Sequence, residues 1–299
     1  MARSMWQWAS FLCLAVVGAC GTDPDEPAAT IIVFTRVNGL ERHIFSMQPD
    51  GSQVVQLTSG AVVDDDPAIS RDGSRIAFVR RNVSPSLEDI YVMNADGSDL
   101  HAVTSGGTAD FQPAWSPDGQ RIVFSTFGGS DTDGLHLVNA DGTGRELLVP
   151  SGGNTFGLST WSPNGQVIVF VGTPPPGGPP SVLFRVNADG TGLGQLTSGP
   201  AQDIDPSWSP DGLQLAFTTV AENGTASLAV MHANGSGRRD IIPNISALHP
   251  EWSPDGGQLT FWTQEPEGTI WVVNADGTGL QRISSAATDD MQPDWGFDR

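Results

Sequence analysis

Apolar residues are distributed along this chain in two different ways. Near the N-terminus one continuous apolar run extends from Ala9 to Ala19, after a single positive charge at Arg3. From Ile31 onward the pattern changes to short β-rich blocks separated by Gly, Pro, Asp and Asn, with no helical period. Arg121-Ile122-Val123-Phe124, Gln214-Leu215-Ala216-Phe217 and Gln258-Leu259-Thr260-Phe261 are apolar on both faces and read as interior strands. A second block follows each, such as Leu135-His136-Leu137-Val138 or Ile270-Trp271-Val272-Val273, and a weaker outer strand such as Gln195-Leu196-Thr197 ends the unit.

Two landmarks fix the repeat. A Pro-x-Trp-Ser-Pro-Asp-Gly block occupies 113–119, 206–212 and 250–256, with degenerate copies beginning at Pro67, Ser159 and Pro293. At the tryptophan position stand Ile69, Trp115, Trp161, Trp208, Trp252 and Trp295, spaced by 46, 46, 47, 44 and 43 residues. The second landmark, Asn-Ala-Asp-Gly or a relative, places Asp50, Asp96, Asp141, Asp189, Asn234 and Asp276 at similar intervals. Ser-Pro-Asp-Gly suits a type I turn, and Asp-Gly supplies the left-handed backbone of a tight hairpin. Four antiparallel strands in about 45 residues match one blade of a β-propeller. The sequence therefore predicts an all-β, six-bladed β-propeller. Five blades are continuous; in the sixth, Pro293-Asp294-Trp295 supplies the innermost strand and residues 31–57 the other three, closing the ring without an open sheet edge.

The N-terminal run is too short to span a bilayer, which takes about 20 residues, and reads as a secretory h-region. Val17-Gly18-Ala19-Cys20 resembles the lipobox of bacterial lipoproteins, which implies a signal peptide over 1–19 and acylation of Cys20. Residues 20–30 then form a flexible tether and 31–299 the propeller domain. Cys13 would leave with the signal peptide and Cys20 would carry lipid, so no disulfide framework is expected. Gly21, where an Asp would imply inner-membrane retention in the resembled sorting rule, leans the expected location to the outer membrane, facing the periplasm or the surface.

Composition narrows the partners. The chain has 299 residues, 14 basic against 34 acidic, for a net charge of −20, and every basic residue is Arg. Such a field repels phosphate backbones and anionic headgroups, which excludes nucleic acid and limits membrane contact to the lipid anchor. An envelope protein or a small ligand, bound by a monomeric propeller, is the expected partner.

The repeat resembles the TolB-like propeller, also called the WD40-like PD40 repeat, which carries the same W-S-P-D-G and N-x-D-G signatures; the Gly-His and Trp-Asp pairs of true WD40 units are missing. The likeness extends over 31–299, with departures at Ile69, Arg71, Leu158, Ser159, Asn164 and Asn234. TolB itself has an additional N-terminal α/β domain, so the resemblance is to its propeller alone. The family also includes propellers of prolyl-oligopeptidase-like enzymes and oligogalacturonate lyases, so the fold leaves function open.

No catalytic residue is assigned. The chain lacks a Gly-x-Ser-x-Gly pentapeptide, and its five histidines fall in different units without zinc spacing. Acidic clusters at Asp64-Asp65-Asp66, Asp131 with Asp133, and Asp289-Asp290 lack the EF-hand pattern and read as solvated loop charge. The position before the recurrent Pro is more informative: placed at the start of the innermost strand, its copies should converge at one mouth of the channel. Asp66, Gln112, Asp205, His249 and Gln292 stand there, and Glu251 and Asp294 two residues further along. These are the candidate ligand residues. No cofactor is required, although a divalent cation would fit such a set. The alternative is a metal-dependent polysaccharide lyase of the oligogalacturonate type, using the channel mouth around His249.

Overall fold

Each Pro-x-Trp-Ser-Pro-Asp-Gly block produces a strand, a turn and a second strand. The Gly119 N–H donates to the Ser116 carbonyl at 2.8 Å, closing the turn, while the Ser116 hydroxyl donates to Asp118 and accepts the Arg121 N–H at 2.9 Å. The same serine bridge recurs at Ser70, Ser162, Ser209 and Ser253. These serines are structural.

The computed structural model describes residues 29–81, 87–128, 132–174, 180–264, 267–285 and 287–298. The segment expected to be a signal peptide (1–19), Cys20, most of the expected tether and Asp131 lie outside the described residues. Within them the secondary structure is all β. The N-terminal strands are β1 (Thr30–Asn38), β2 (Glu41–Met47) and β3 (Val55–Gln56). Next come β4 (Val63–Ile69), β5 (Arg75–Arg81), β6 (Glu88–Asn94) and β7 (His101–Ala102), then β8 (Ala109–Trp115), β9 (Arg121–Phe127), β10 (Gly134–Asn139) and β11 (Glu146–Pro150). They are followed by β12 (Thr155–Trp161), β13 (Val167–Thr173), β14 (Val182–Asn187), β15 (Gly194–Gln195), β16 (Gln202–Trp208), β17 (Gln214–Val220), β18 (Ala226–His232) and β19 (Arg239–Ile242). The last are β20 (Leu248–Trp252), β21 (Gln258–Thr263), β22 (Thr269–Asn274), β23 (Gln281–Arg282) and β24 (Asp289–Phe297).

The strands form antiparallel four-stranded blades in a propeller arrangement: four separate sheets, β8–β11, β12–β15, β16–β19 and β20–β23, and one eight-stranded sheet. In the latter β24, β1, β2 and β3 join β4–β7 through one parallel bridge, Arg42 to Val63. The C-terminal β24 pairs along the N-terminal β1, from Thr30 opposite Phe297 to Val37 opposite Asp289. The innermost strands touch in cyclic order, β24, β4, β8, β12, β16, β20 and back to β24.

Blades are held together by what lies between them. Phe34, Phe78, Phe124, Phe170, Phe217 and Phe261, one on each second strand, are fully buried. Each recurrent tryptophan packs on the preceding blade: Trp115 against Ala77, Val79 and Val92, Trp161 against Val123 and Leu135, Trp252 against Ala216 and Val230. The Trp115 indole donates to the Ala68 carbonyl at 3.0 Å. These tryptophans are inter-blade packing, as their repetition suggests.

The acidic clusters differ from the sequence reading. Asp64 and Asp290 are fully buried rather than solvated, each gripped by a two-pronged arginine: Arg80 on Asp64 at 2.6 and 2.8 Å, Arg36 on Asp290 at 2.6 and 2.9 Å. Asp110 and Asp203 hold equivalent positions and pair with Arg145 and Arg238, which reach in from the outer hairpin across Thr126 and Thr219. In the two blades where Phe156 and Ala247 replace the aspartate, the strand and hairpin positions that supply arginine elsewhere hold Gly172 and Leu193, and Thr263 and Leu280. At this strand position an aspartate is buried only with its arginine, because an unpaired buried carboxylate is costly.

Candidate functional site

The residue before each recurrent Pro lies in the middle of the innermost strand, not at its start, and the reason is a β-bulge. Asp65 pairs with Val79 and Ala68 with Ala77, so Asp66 and Pro67 together oppose Phe78 alone. The same shift sets Gln112-Pro113 against Phe124, Leu158-Ser159 against Phe170, Asp205-Pro206 against Phe217, His249-Pro250 against Phe261 and Gln292-Pro293 against Phe34. Proline, which has no N–H, is tolerated where the ladder is interrupted. The residue before it adopts a left-handed backbone, with φ of 50° at Asp66, 54° at Gln112, 49° at Leu158, 53° at Asp205, 47° at His249 and 52° at Gln292. Non-glycine residues seldom accept this, and such strain collects at functional sites. A bulge also re-aims its side chain, here toward the axis.

All seven candidate residues, Asp66, Gln112, Asp205, His249, Glu251, Gln292 and Asp294, line one central cavity of about 280 Å³. Three of the bulge side chains clasp the next strand: Gln292 Oε1 accepts the Asp66 N–H at 3.3 Å, Gln112 Oε1 the Leu158 N–H at 2.9 Å, and Asp205 Oδ2 the His249 N–H at 3.0 Å. Gln292 also donates to Asp66 Oδ1. A Cβ at Gly157 would overlap the Gln112 amide oxygen and push that side chain off its hydrogen bond to Leu158. Asp294 accepts the Ile69 and Trp295 N–H groups at 2.6 and 2.8 Å, and Glu251 accepts the Ser207 hydroxyl at 2.7 Å. His249 Nε2 stands 3.9 Å from Asp205 Oδ1.

Crowding in a poorly solvated space makes Asp66, Glu251 and Asp294 weaker acids. Burial pushes Asp66 up to about 6, with His249 opposing and Asp65 and Asp205 adding to the rise. Burial likewise takes Asp294 to about 6 against the pull of its two N–H donors. Glu251 is raised well above the usual carboxylate range, by burial first and then by the charge of Asp294. Among the described residues no group of three His, Cys, Asp or Glu side chains is arranged to hold a metal ion. The arrangement suits long-range attraction of positive charge better than tight coordination.

Sequence reasoning missed two features of the rim. Arg71, at the position of Pro117, Pro163, Pro210 and Pro254, reaches over to donate to the Pro163 carbonyl at 3.1 Å. The hydroxyl of Ser159, at the position of the recurrent Pro, is buried without a hydrogen-bond partner. Both were visible only as departures from the repeat. The other histidines stay away from the cavity: His43 and His136 are buried within blades, His101 and His232 exposed.

Repeated four-stranded blades, bulged inner strands and a lined axial cavity define the class as a repeat propeller. The chain belongs to the TolB beta propeller domain family (PD40), which matches residues 15–198. Among solved structures it is similar to TolB from Acinetobacter baumannii (19% identity, TM-score 0.78), covering 89% of this chain and 66% of that one. It is also similar to a putative TolB from Agrobacterium tumefaciens (15% identity, TM-score 0.68; 92% and 100% covered). An oligogalacturonate lyase in complex with manganese shares the fold at 15% identity and TM-score 0.58, with 81% and 73% covered. No curated protein matches the chain.

Proposed function

We propose that this protein is a lipid-anchored binding scaffold of the bacterial cell envelope, a six-bladed propeller that presents its axial cavity to an envelope protein or a small ligand. The observation that carries the reading is the convergence of the left-handed bulge residues on one cavity, strain that packing alone does not need. The count of six blades is supported by the single bridge at Arg42, which links two otherwise complete four-stranded sets. Residues 1–19 act as signal peptide, acylated Cys20 anchors the chain, and 20–30 hold the domain off the membrane, on the outer-membrane side. The TolB likeness supports an envelope location. A net charge of −20 disfavours nucleic acid.

Photo-crosslinking in the producing cell tests this reading. A crosslinker at Ala114, which lines the cavity, should yield a discrete adduct, while one at Leu213 on the exposed rim should not. Adducts from Leu213 alone, or from neither, would overturn it. The second reading, a metal-dependent oligogalacturonate-type lyase, draws on the shared fold of the manganese-bound lyase. Against it stands the lining itself, since a polyuronate would bring anions against Asp66, Asp205, Glu251 and Asp294. Unsaturated product formed from polygalacturonate with Mn²⁺, and lost in His249→Ala, would establish the lyase.

A further inference from the structure

The cavity is chemically two-sided. In the cyclic order of innermost strands, β16, β20, β24 and β4 are neighbours and carry Asp205, Glu251, Asp294 and Asp66. The remaining strands, β8 and β12, line it with uncharged residues, among them Gln112, Ala114, Leu158, Ser159 and Thr160. All the carboxylates therefore fall on one arc and face a neutral wall. Asp205 is more than nine-tenths buried, with its Oδ2 taken by the His249 N–H and its Oδ1 3.9 Å from His249 Nε2, while Asp66 and Glu251 are half-buried at the cavity wall. Across from them the Ser159 hydroxyl is buried and unpartnered. Each carboxylate has about four lone-pair sites and uses only some of them here, so the arc keeps acceptor capacity for a donor that enters the cavity.

We propose that the cavity binds a small organic cation, an alkylammonium or guanidinium group, with its charged donors on the Asp205–Glu251–Asp66 arc and its apolar part against Leu158 and Ala114. This inference rests on the binding reading above and names the ligand class for that site. Three observations select an organic cation. The open acceptors sit on separate strands, and no three-ligand group is formed, whereas calcium needs about six to eight oxygens at about 2.3–2.6 Å. A chain of N–H donors can reach acceptors spaced around a ring. The volume of about 280 Å³ lies at the lower end of small-molecule sites, enough for a single extended side chain or a short amine and too little for an oligosaccharide. Finally, the field of the carboxylates excludes anions.

Arg71 is the one arginine that lines this cavity among the described residues, and its hold on the Pro163 carbonyl spans the neutral side of the mouth. It repels an incoming cation, so its replacement by the proline found at the equivalent turns should strengthen binding.

Calorimetric titration of the full-length protein tests the proposal with four probes: spermidine for a free polyamine, argininamide for an arginine side chain of a polypeptide, CaCl₂ and galacturonate. Saturable one-to-one binding of spermidine or argininamide is expected, and whichever binds tighter identifies the source. Asp205→Asn and Glu251→Gln keep the hydrogen-bond acceptor and lose the charge, and each should weaken binding about tenfold or more. Arg71→Pro, at an exposed turn that tolerates proline in four other copies, should tighten it. Thermal melts of each variant exclude misfolding as the cause. Amine binding unchanged in all three variants overturns the proposal. Binding of calcium or galacturonate alone, sensitive to Glu251→Gln, overturns the organic-cation assignment and leaves the cavity as the site. No binding of any probe, together with no crosslink from Ala114, removes both.

Discussion

At the scale of single residues, the chain contains its own control experiment on buried charge. Asp64, Asp110, Asp203 and Asp290 are each buried with an arginine, while Phe156 and Ala247 stand at the same strand position without one. Arg80→Leu leaves Asp64 buried and unpaired and should cost about 3–5 kcal/mol. The double variant Asp64→Ala with Arg80→Thr copies the Ala247 blade and should recover much of that loss in urea unfolding; a double variant as unstable as the single would show that the pair itself is indispensable. The cavity carboxyls give the opposite kind of effect. Asp66 and Asp294 rise from 3.8 unfolded to about 6 folded, so the native state binds protons more tightly. Their stabilising contribution is complete below the unfolded value and is lost as pH rises through about 6. Turn carboxyls such as Asp118 and Asp211, lowered by serine hydrogen bonds, act the other way, and their contribution is lost as pH falls below the usual carboxylate range. The melting temperature should therefore climb from about pH 7 to about pH 5. That slope should flatten in Asp66→Asn with Asp294→Asn; an unchanged slope would contradict the burial argument.

At the scale of elements, the repeat made strands and turns legible because turn chemistry is local: Pro, Asp and Gly set their own backbone angles. The bulge was not legible. Strict alternation from Asp66 to Ala68 put both on one face, and the inserted residue at Pro67 became apparent only once the pairing with Phe78 was known. Residues on both sides of the bulge, Asp66 and Ala68, still line the cavity. The arginine forks were also missed, although an aspartate two residues before the bulge recurs at Asp64, Asp110, Asp203 and Asp290. Their partners come from two different elements, so no single spacing exposes the pairs. Leu158 provides the test at this scale, being a bulky residue at φ 49°. Leu158→Gly should be neutral or slightly stabilising in chemical denaturation, whereas Leu158→Val should cost about 1–2 kcal/mol. Equal effects would mean that the left-handed bulge is unstrained.

At the scale of the whole molecule, β1 and β24 bring together the two ends of the described chain, and the cavity residues Gln292 and Asp294 depend on that pairing. Their convergence with Asp66 follows from the repeat register, which is why spacing in the sequence is enough to group them. What spacing could not supply was the segregation of charge, because the cyclic order of strands decides which carboxylates become neighbours. The anchor is tested separately: Cys20→Ala should move the protein out of the membrane fraction or leave the signal peptide uncleaved, and unchanged membrane fractionation would refute it.

A binding role for the cavity requires that ligand engage the inner strands. Hydrogen exchange of the full-length protein with and without argininamide measures this directly. Protection should appear in 203–208, 248–252, 289–295 and 64–69, while the outer hairpins around Asp96, Asp189 and Asp276 stay unchanged. Protection confined to those hairpins, with the inner strands unaffected, would contradict it.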